Sequence, residues 1–78
     1  MRLVVSPSDA APSVVVLLDG TTFHHGDEVV VPFGLHRLQA IGSDEWVFDS
    51  WNDGQSFDEI WDVEILSDGE FYAGFSRV

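Results

Sequence analysis

The segment Trp61–Asp62–Val63–Glu64–Ile65 alternates apolar and acidic residues at period two. In an extended strand that pattern puts three apolar side chains on one face and two carboxylates on the other. The pattern recurs. Phe71, Ala73 and Phe75 alternate with Tyr72, Gly74 and Ser76, and His36, Leu38 and Ala40 alternate with Arg37 and Gln39. No window offers an i, i+3, i+4, i+7 apolar stripe, so no helix longer than two turns is expected. Asp19–Gly20, His25–Gly26–Asp27, Gly42–Ser43–Asp44, Asn52–Asp53–Gly54 and Ser67–Asp68–Gly69 punctuate the chain with residues that favour turns. Strands are expected at Arg2–Val5, Ser13–Leu18, Glu28–Phe33, His36–Ala40, Trp46–Trp51, Trp61–Ile65 and Phe71–Phe75. Six or seven short strands, with turn signals at intervals of about ten residues, define an all-β chain, a small antiparallel β-sandwich.

Several finer expectations follow. Ser13–Leu18 is almost wholly apolar, as in a strand buried on both faces. Pro32 has no N–H for a ladder, which places the end of Glu28–Phe33 at a sheet edge. The Asp-Gly pair at 68–69 reads as a hairpin turn between the last two strands. Residues 1–78 form one domain, in which 1–12 supply an extra strand followed by a mobile loop, Ser6–Pro12, with two prolines and two serines.

A 78-residue domain buries only roughly 60–65% of the surface its unfolded chain exposes. There is no cysteine, so neither a disulfide nor a thiolate-held metal reinforces that thin core. A partner surface would supply extra stability, so the expected partner is a protein, either a larger assembly or further copies of this chain. Three Lys+Arg against fourteen Asp+Glu give a net charge of −11. Ten of the fourteen acids lie between Asp44 and Glu70, and no Lys or Arg falls between Arg37 and Arg77. Such a field repels phosphates and anionic lipid, which disfavours direct nucleic-acid binding. The longest apolar run, Val14–Leu18, has five residues against the ~20 that span a bilayer, so no membrane insertion is expected. Ser6, Pro7 and Asp9 interrupt any h-region, so the sequence carries no recognisable secretion signal and is expected to be cytoplasmic at synthesis. A Met followed at once by a short strand suits a small complete gene product, and hence a virion component.

The stretch FDSWNDG, residues 48–54, is the most site-like segment. Its acids and amide could be ligands, or they could be the corner of a small β-fold. His24–His25–Gly26–Asp27–Glu28 offers imidazole and carboxylate together, but adjacent residues on a strand or tight turn point opposite ways, and His36 is the only other histidine. It reads as a polar hairpin turn. Acid pairs such as Asp44–Glu45 and Asp58–Glu59 arise by chance in so acidic a chain and read as a solvated face rather than paired glycosidase carboxylates. With no Cys, no Lys, no Gly-x-Ser-x-Gly elbow and no Gly-rich phosphate loop, nothing suggests an enzyme, and no cofactor is expected. Trp51 and Trp61 read as core. Trp46 and Tyr72, with His24 and His25, are the candidate interface residues.

Gly34–Leu35–His36–Arg37–Leu38–Gln39–Ala40, Phe48–Asp49–Ser50–Trp51–Asn52–Asp53–Gly54, Ile60 to Ile65 and Phe71–Tyr72–Ala73–Gly74–Phe75 follow one another in order. This resembles the small β-sandwich modules related to PEGA domains and divergent internalin B-type repeats, with their Gly-x-His-x-Leu strand, Phe-x-x-Trp-x-x-Gly corner and closing Ala-x-Phe strand. Leu17–Leu18–Asp19–Gly20 fits the first strand and turn of such modules, so the resemblance covers about residues 14–76. It implies an Ig-like or PEGA-like sandwich without enzymatic activity. FDSWNDG is then a structural corner: Phe48 and Trp51 pack against the opposite sheet, Gly54 closes the turn, and Asp53 accepts backbone N–H bonds.

The function expected is therefore that of a non-enzymatic structural module docking on a larger assembly, such as a capsid decoration or tail protein, or an accessory domain of a surface protein. The alternative is an acidic inhibitor that imitates DNA, since carboxylates two apart on a strand repeat at ~6.6–6.8 Å, near the phosphate spacing of one DNA strand. An enzyme or a lectin using exposed tryptophans comes last. Because His24, His25 and Asp27 lack convergent further ligands, micromolar zinc is expected to leave the melting temperature unchanged. A saturable upward shift in a calorimetric titration would contradict that expectation.

Overall fold

The computed structural model describes all 78 residues. Seven strands form two sheets: β1 (Arg2–Ser6), β2 (Val15–Leu18), β3 (Thr21–Phe23), β4 (Gly34–Ile41), β5 (Trp46–Trp51), β6 (Ile60–Ile65) and β7 (Glu70–Arg77). The three-stranded sheet has the order β1-β7-β5 and the four-stranded sheet the order β3-β2-β4-β6. The fold is an all-β sandwich, and its only helical piece is the 3-10 turn Ser8–Ala10. That turn carries Ala10 into the core, so the Ser6–Pro12 segment is anchored in the middle.

β2 and β3 form a two-residue hairpin, with Leu18 opposite Thr21. Asp19 and Gly20 both have positive φ, 50° and 84°. That geometry matches the right-handed twist of the flanking strands and favours Asp-Gly. From β4 onward the chain changes sheet at every connection. Most ladders are antiparallel, whereas β1 lies parallel to β7 with Leu3 opposite Phe71 and Val5 opposite Ala73.

Three local expectations are corrected. β6 and β7 do not form a hairpin, because β6 pairs with β4 and β7 with β1 and β5. Neither Asp68 nor Gly69 adopts positive φ. Their apolar faces meet across the core instead, with the Trp61 and Phe71 rings 6.1 Å apart. Period-two alternation gives each strand an inward face but does not say whether two such strands lie side by side or face each other. Second, Val29–Phe33 is not a strand. Only Glu28 bridges, opposite Arg2, and the following residues cross from the edge of one sheet to the start of β4 in the other. Third, β2 is buried on one face only: Val16 and Leu18 are buried, while Val15 and Leu17 face outward.

Only 13 of the 78 residues are buried, so single large side chains dominate the core. Trp51 is the largest of those wholly buried. Its ring lies 5.1 Å from Phe48 and 6.1 Å from Trp61, and Phe48 in turn meets Phe75 edge-on at 5.8 Å. Five aromatic rings, Phe75–Phe48–Trp51–Trp61–Phe71, thus run as one chain through both sheets.

Trp51→Ala is expected to cost about 3–5 kcal/mol, as for other buried Trp truncations. Since a domain of this kind is stable by only ~5 kcal/mol or somewhat more, urea denaturation should find it largely unfolded. Gly42 has no room for a side chain, because a Cβ there would run into the backbone carbonyl of Trp46, whereas one at Gly69 would meet nothing. Gly42→Ala is therefore expected to lower the urea midpoint clearly, and Gly69→Ala to change it little.

Candidate functional site

The FDSWNDG stretch is a corner, and its polar groups are consumed in making it. The backbone N–H of Trp51 donates to Ser56 O at 2.8 Å, and its carbonyl accepts from Gly54 and Gln55 at 3.0 and 2.9 Å. The indole Nε1 donates to Asp58 O at 2.8 Å. Asn52, Asp53 and Gly54 all have positive φ, 48°, 55° and 111°, which Asn, Asp and Gly tolerate best. The turn's side-chain acceptor is Asn52 rather than Asp53. Asn52 Oδ1 takes the Tyr72 N–H at 2.8 Å, and Nδ2 donates to Gln55 Oε1 at 2.8 Å. Asn52 N–H also donates to Tyr72 O, so this residue locks the corner to β7 from both sides. Asp53 stays exposed. The expected role passes from the second residue of the turn, Asp53, to its first, because Asn52 lies beside β7.

The three histidines stand in separate environments. His24 Nδ1 is 3.3 Å from Asp27 Oδ2, which also accepts the His24 N–H at 2.9 Å. His25 Nδ1 accepts the N–H of Val5 at 2.9 Å and thereby ties this turn to β1. No group of three or more His, Asp or Glu side chains is placed to hold a metal ion.

His36 sits in the best-built polar cluster. Its Nδ1 is 2.5 Å from Asp19 Oδ2 and its Nε2 is 2.7 Å from Pro32 O. Both ring nitrogens face acceptors, and only the imidazolium has two N–H donors to satisfy them. The hydrogen bond to Asp19, reinforced by that to Pro32, raises the pKa of His36 above its ordinary value. Asp19 is held low, first by the Arg37 N–H on Oδ1 at 2.9 Å and then by His36. Next along β4, Arg37 holds Asp62 through Nε and an Nη at 2.8 and 3.1 Å, which lowers the Asp62 pKa and raises that of Arg37. The cluster joins the β2–β3 turn to β4 and β6.

Of the candidate interface residues, Trp46 is core: it is only 5% exposed, with the Arg77 guanidinium 4.7 Å from its ring centroid. Tyr72 is exposed at 37% on the outer face of the three-stranded sheet, its hydroxyl donating to Glu70 at 3.1 Å. That carboxylate raises the Tyr72 pKa. His24 and His25 are exposed in their turn.

A surface that sequence reasoning missed lies on the outer face of the four-stranded sheet. Val15 pairs with Ile41, Leu17 with Gln39, and Gln39 with Ile60, so these side chains adjoin across three strands. Val15, Ile41 and Ile60 are 37%, 42% and 48% exposed. Leu35 adds a fourth exposed apolar group opposite Glu64, and the Arg37–Asp62 pair lies between. The signal was present: Leu35 and Ile41 fall out of phase with His36, Leu38 and Ala40, and the unbroken Val14–Leu18 run has more apolar residues than one inward face can use.

Comparison with models of known protein families, with curated proteins and with solved structures finds no match to this chain. No helix is long and apolar enough to cross a membrane.

The His36–Asp19 pair carries a pH dependence. A raised folded-state pKa means that the His36 contribution is complete below the unfolded value near ~6.5 and is lost as pH rises through the folded value. The Asp19 contribution runs the other way: it is present above ~3.9 and lost as pH falls through its lowered value. The melting temperature is therefore expected to fall as pH rises from about 6 to above the raised His36 pKa. His36→Gln should flatten that limb. An unchanged slope in the variant would remove His36 as its cause.

Proposed function

We propose that this chain is a non-enzymatic interaction module that docks on a larger protein assembly. That assembly is a virion, in which the chain serves as a capsid decoration or tail component. Service as an accessory domain of a surface protein would use the same surface. The observation that carries the reading is the apolar outer face Val15–Leu17–Ile41–Ile60, which its own sheet leaves uncovered. An apolar centre with charged groups at its margin, here Arg37–Asp62 and Glu64, is the usual anatomy of a protein–protein interface. The resemblance to PEGA-like modules points the same way.

The acids support imitation of DNA less well. Asp62 and Glu64 face outward from one sheet and Glu70 from the other, so they form no single row. Asp62 is bound to Arg37, and Glu70 lies 3.9 Å from Arg2.

Ile41→Asp and Ile60→Asp are expected to leave the fold intact, because both side chains already face water. Affinity for the partner that co-purifies from the native source should fall about tenfold or more, as when an interface anchor is removed. Binding by the unaltered protein should weaken only modestly between low and high salt. A loss of several orders of magnitude with salt, together with competition by duplex DNA, would instead favour the DNA-mimic reading.

A further inference from the structure

The sandwich has four strand edges, and the chain itself blunts three. Along β1, Leu3 N–H donates to Asp27 O at 3.1 Å, Gly26 N–H to Leu3 O at 2.8 Å, and Val5 N–H to His25. Met1 and Val29 exchange hydrogen bonds at the start of the same strand, at 2.9 Å each. β3 is three residues long. On β5 the Trp46 carbonyl accepts from Ser43 N–H, and both backbone groups of Trp51 are taken by the corner. The ladder irregularity at Phe48–Ser50 lies between them. Bulges, short strands and covering loops are the usual ways of closing an edge.

β6 has none of these protections. Ala40 N–H donates to Glu59 O, and the register continues as Gln39 opposite Ile60 and Leu38 opposite Trp61. In an antiparallel ladder bonded and non-bonded pairs alternate, so Trp61, Val63 and Ile65 bond β4. The backbone groups of Ile60, Asp62 and Glu64 point along the free edge, where no turn, loop or side-chain group of the chain bonds them.

We propose that β6 is a docking edge that takes one added strand from another protein, an extended segment in which basic residues alternate with apolar ones. The proposal rests on the interaction-module reading and specifies the chemistry of the partner. An added strand brings its side chains opposite those of β6 on each face. On the outer face they meet Asp62 and Glu64, and toward the interior they meet Trp61 and Val63, which are left half-buried at the margin of the core. Basic residues two apart match the first pair, and apolar residues between them extend the core over the second. Asp62 already holds Arg37, so Glu64 is the acid without a partner cation on this strand. A second copy of the chain is a poor occupant, because antiparallel self-pairing sets the acids of two β6 strands against each other on molecules of charge −11.

The test is titration of isotope-labelled protein with a short peptide of alternating Lys and Val, and in parallel with its Glu and Val counterpart, reading amide shifts and hydrogen exchange. The Lys peptide is expected to shift and protect the amides of Ile60, Asp62 and Glu64, and the Glu peptide to leave them unchanged. Glu64→Pro removes an N–H that β4 does not use, so the variant should stay folded and lose the protection. Glu64→Lys, which leaves the backbone intact, should weaken binding of the Lys peptide and strengthen that of the Glu peptide. Equal protection by both peptides, or none by either, overturns the proposal, as does a dimer joined through β6 in sedimentation. If the edge fails while Ile41→Asp still releases the native partner, the module reading stands without it.

Discussion

The indole of Trp51 is the contact on which the rest of this fold depends. It lies at the end of β5, and its ring reaches Trp61 of β6 in the opposite sheet. Its Nε1 is satisfied by the carbonyl of Asp58, so a polar atom enters the core without a desolvation penalty. Its backbone groups close the corner that sends the chain from one sheet to the other. One side chain thus fixes the spacing of the sheets and one backbone unit fixes the crossing. A chain of this length without disulfides cannot distribute such work over many residues.

Each later strand switches sheets, so sequence neighbours face one another across the core. That topology explains what could be read in advance. Six of the seven strands were legible, and so were the inward faces of β4, β6 and β7, because period-two alternation is local; β3 was not, and Glu28–Phe33 reads as a strand that does not form. Asp19–Gly20 was legible as a turn, because its two residues take the φ values that the dipeptide favours, but the hairpin it makes was not, since β3 is only three residues long. The same dipeptide at 68–69 misled: tertiary pairing of β7 with β1 and β5 overrode the local signal. The corner at 48–54 was legible as a corner, but the choice of Asn52 over Asp53 depends on the nearness of Tyr72, which is twenty residues away in sequence.

The candidate surface was hidden for a related reason. Ser13–Leu18 looks like a strand sealed on both sides, and only the sheet order shows that its second face has no cover. The sandwich has no third layer. Apolar residues beyond what two facing sheets can absorb therefore fall on an outer face, and the chain has four of them in register there.

Charge bears on the same surface. All three arginines are engaged, with Glu70, with Asp62 and over Trp46, so most of the fourteen acids have no counter-ion within the molecule. Mutual repulsion among them opposes compaction, yet it keeps molecules apart while an apolar patch and a strand edge stand open. A neutral chain with the same sheets would be prone to pair through β6 with copies of itself. The acidity therefore acts as a filter: it leaves the open edge available to basic strands and closes it to like-charged ones.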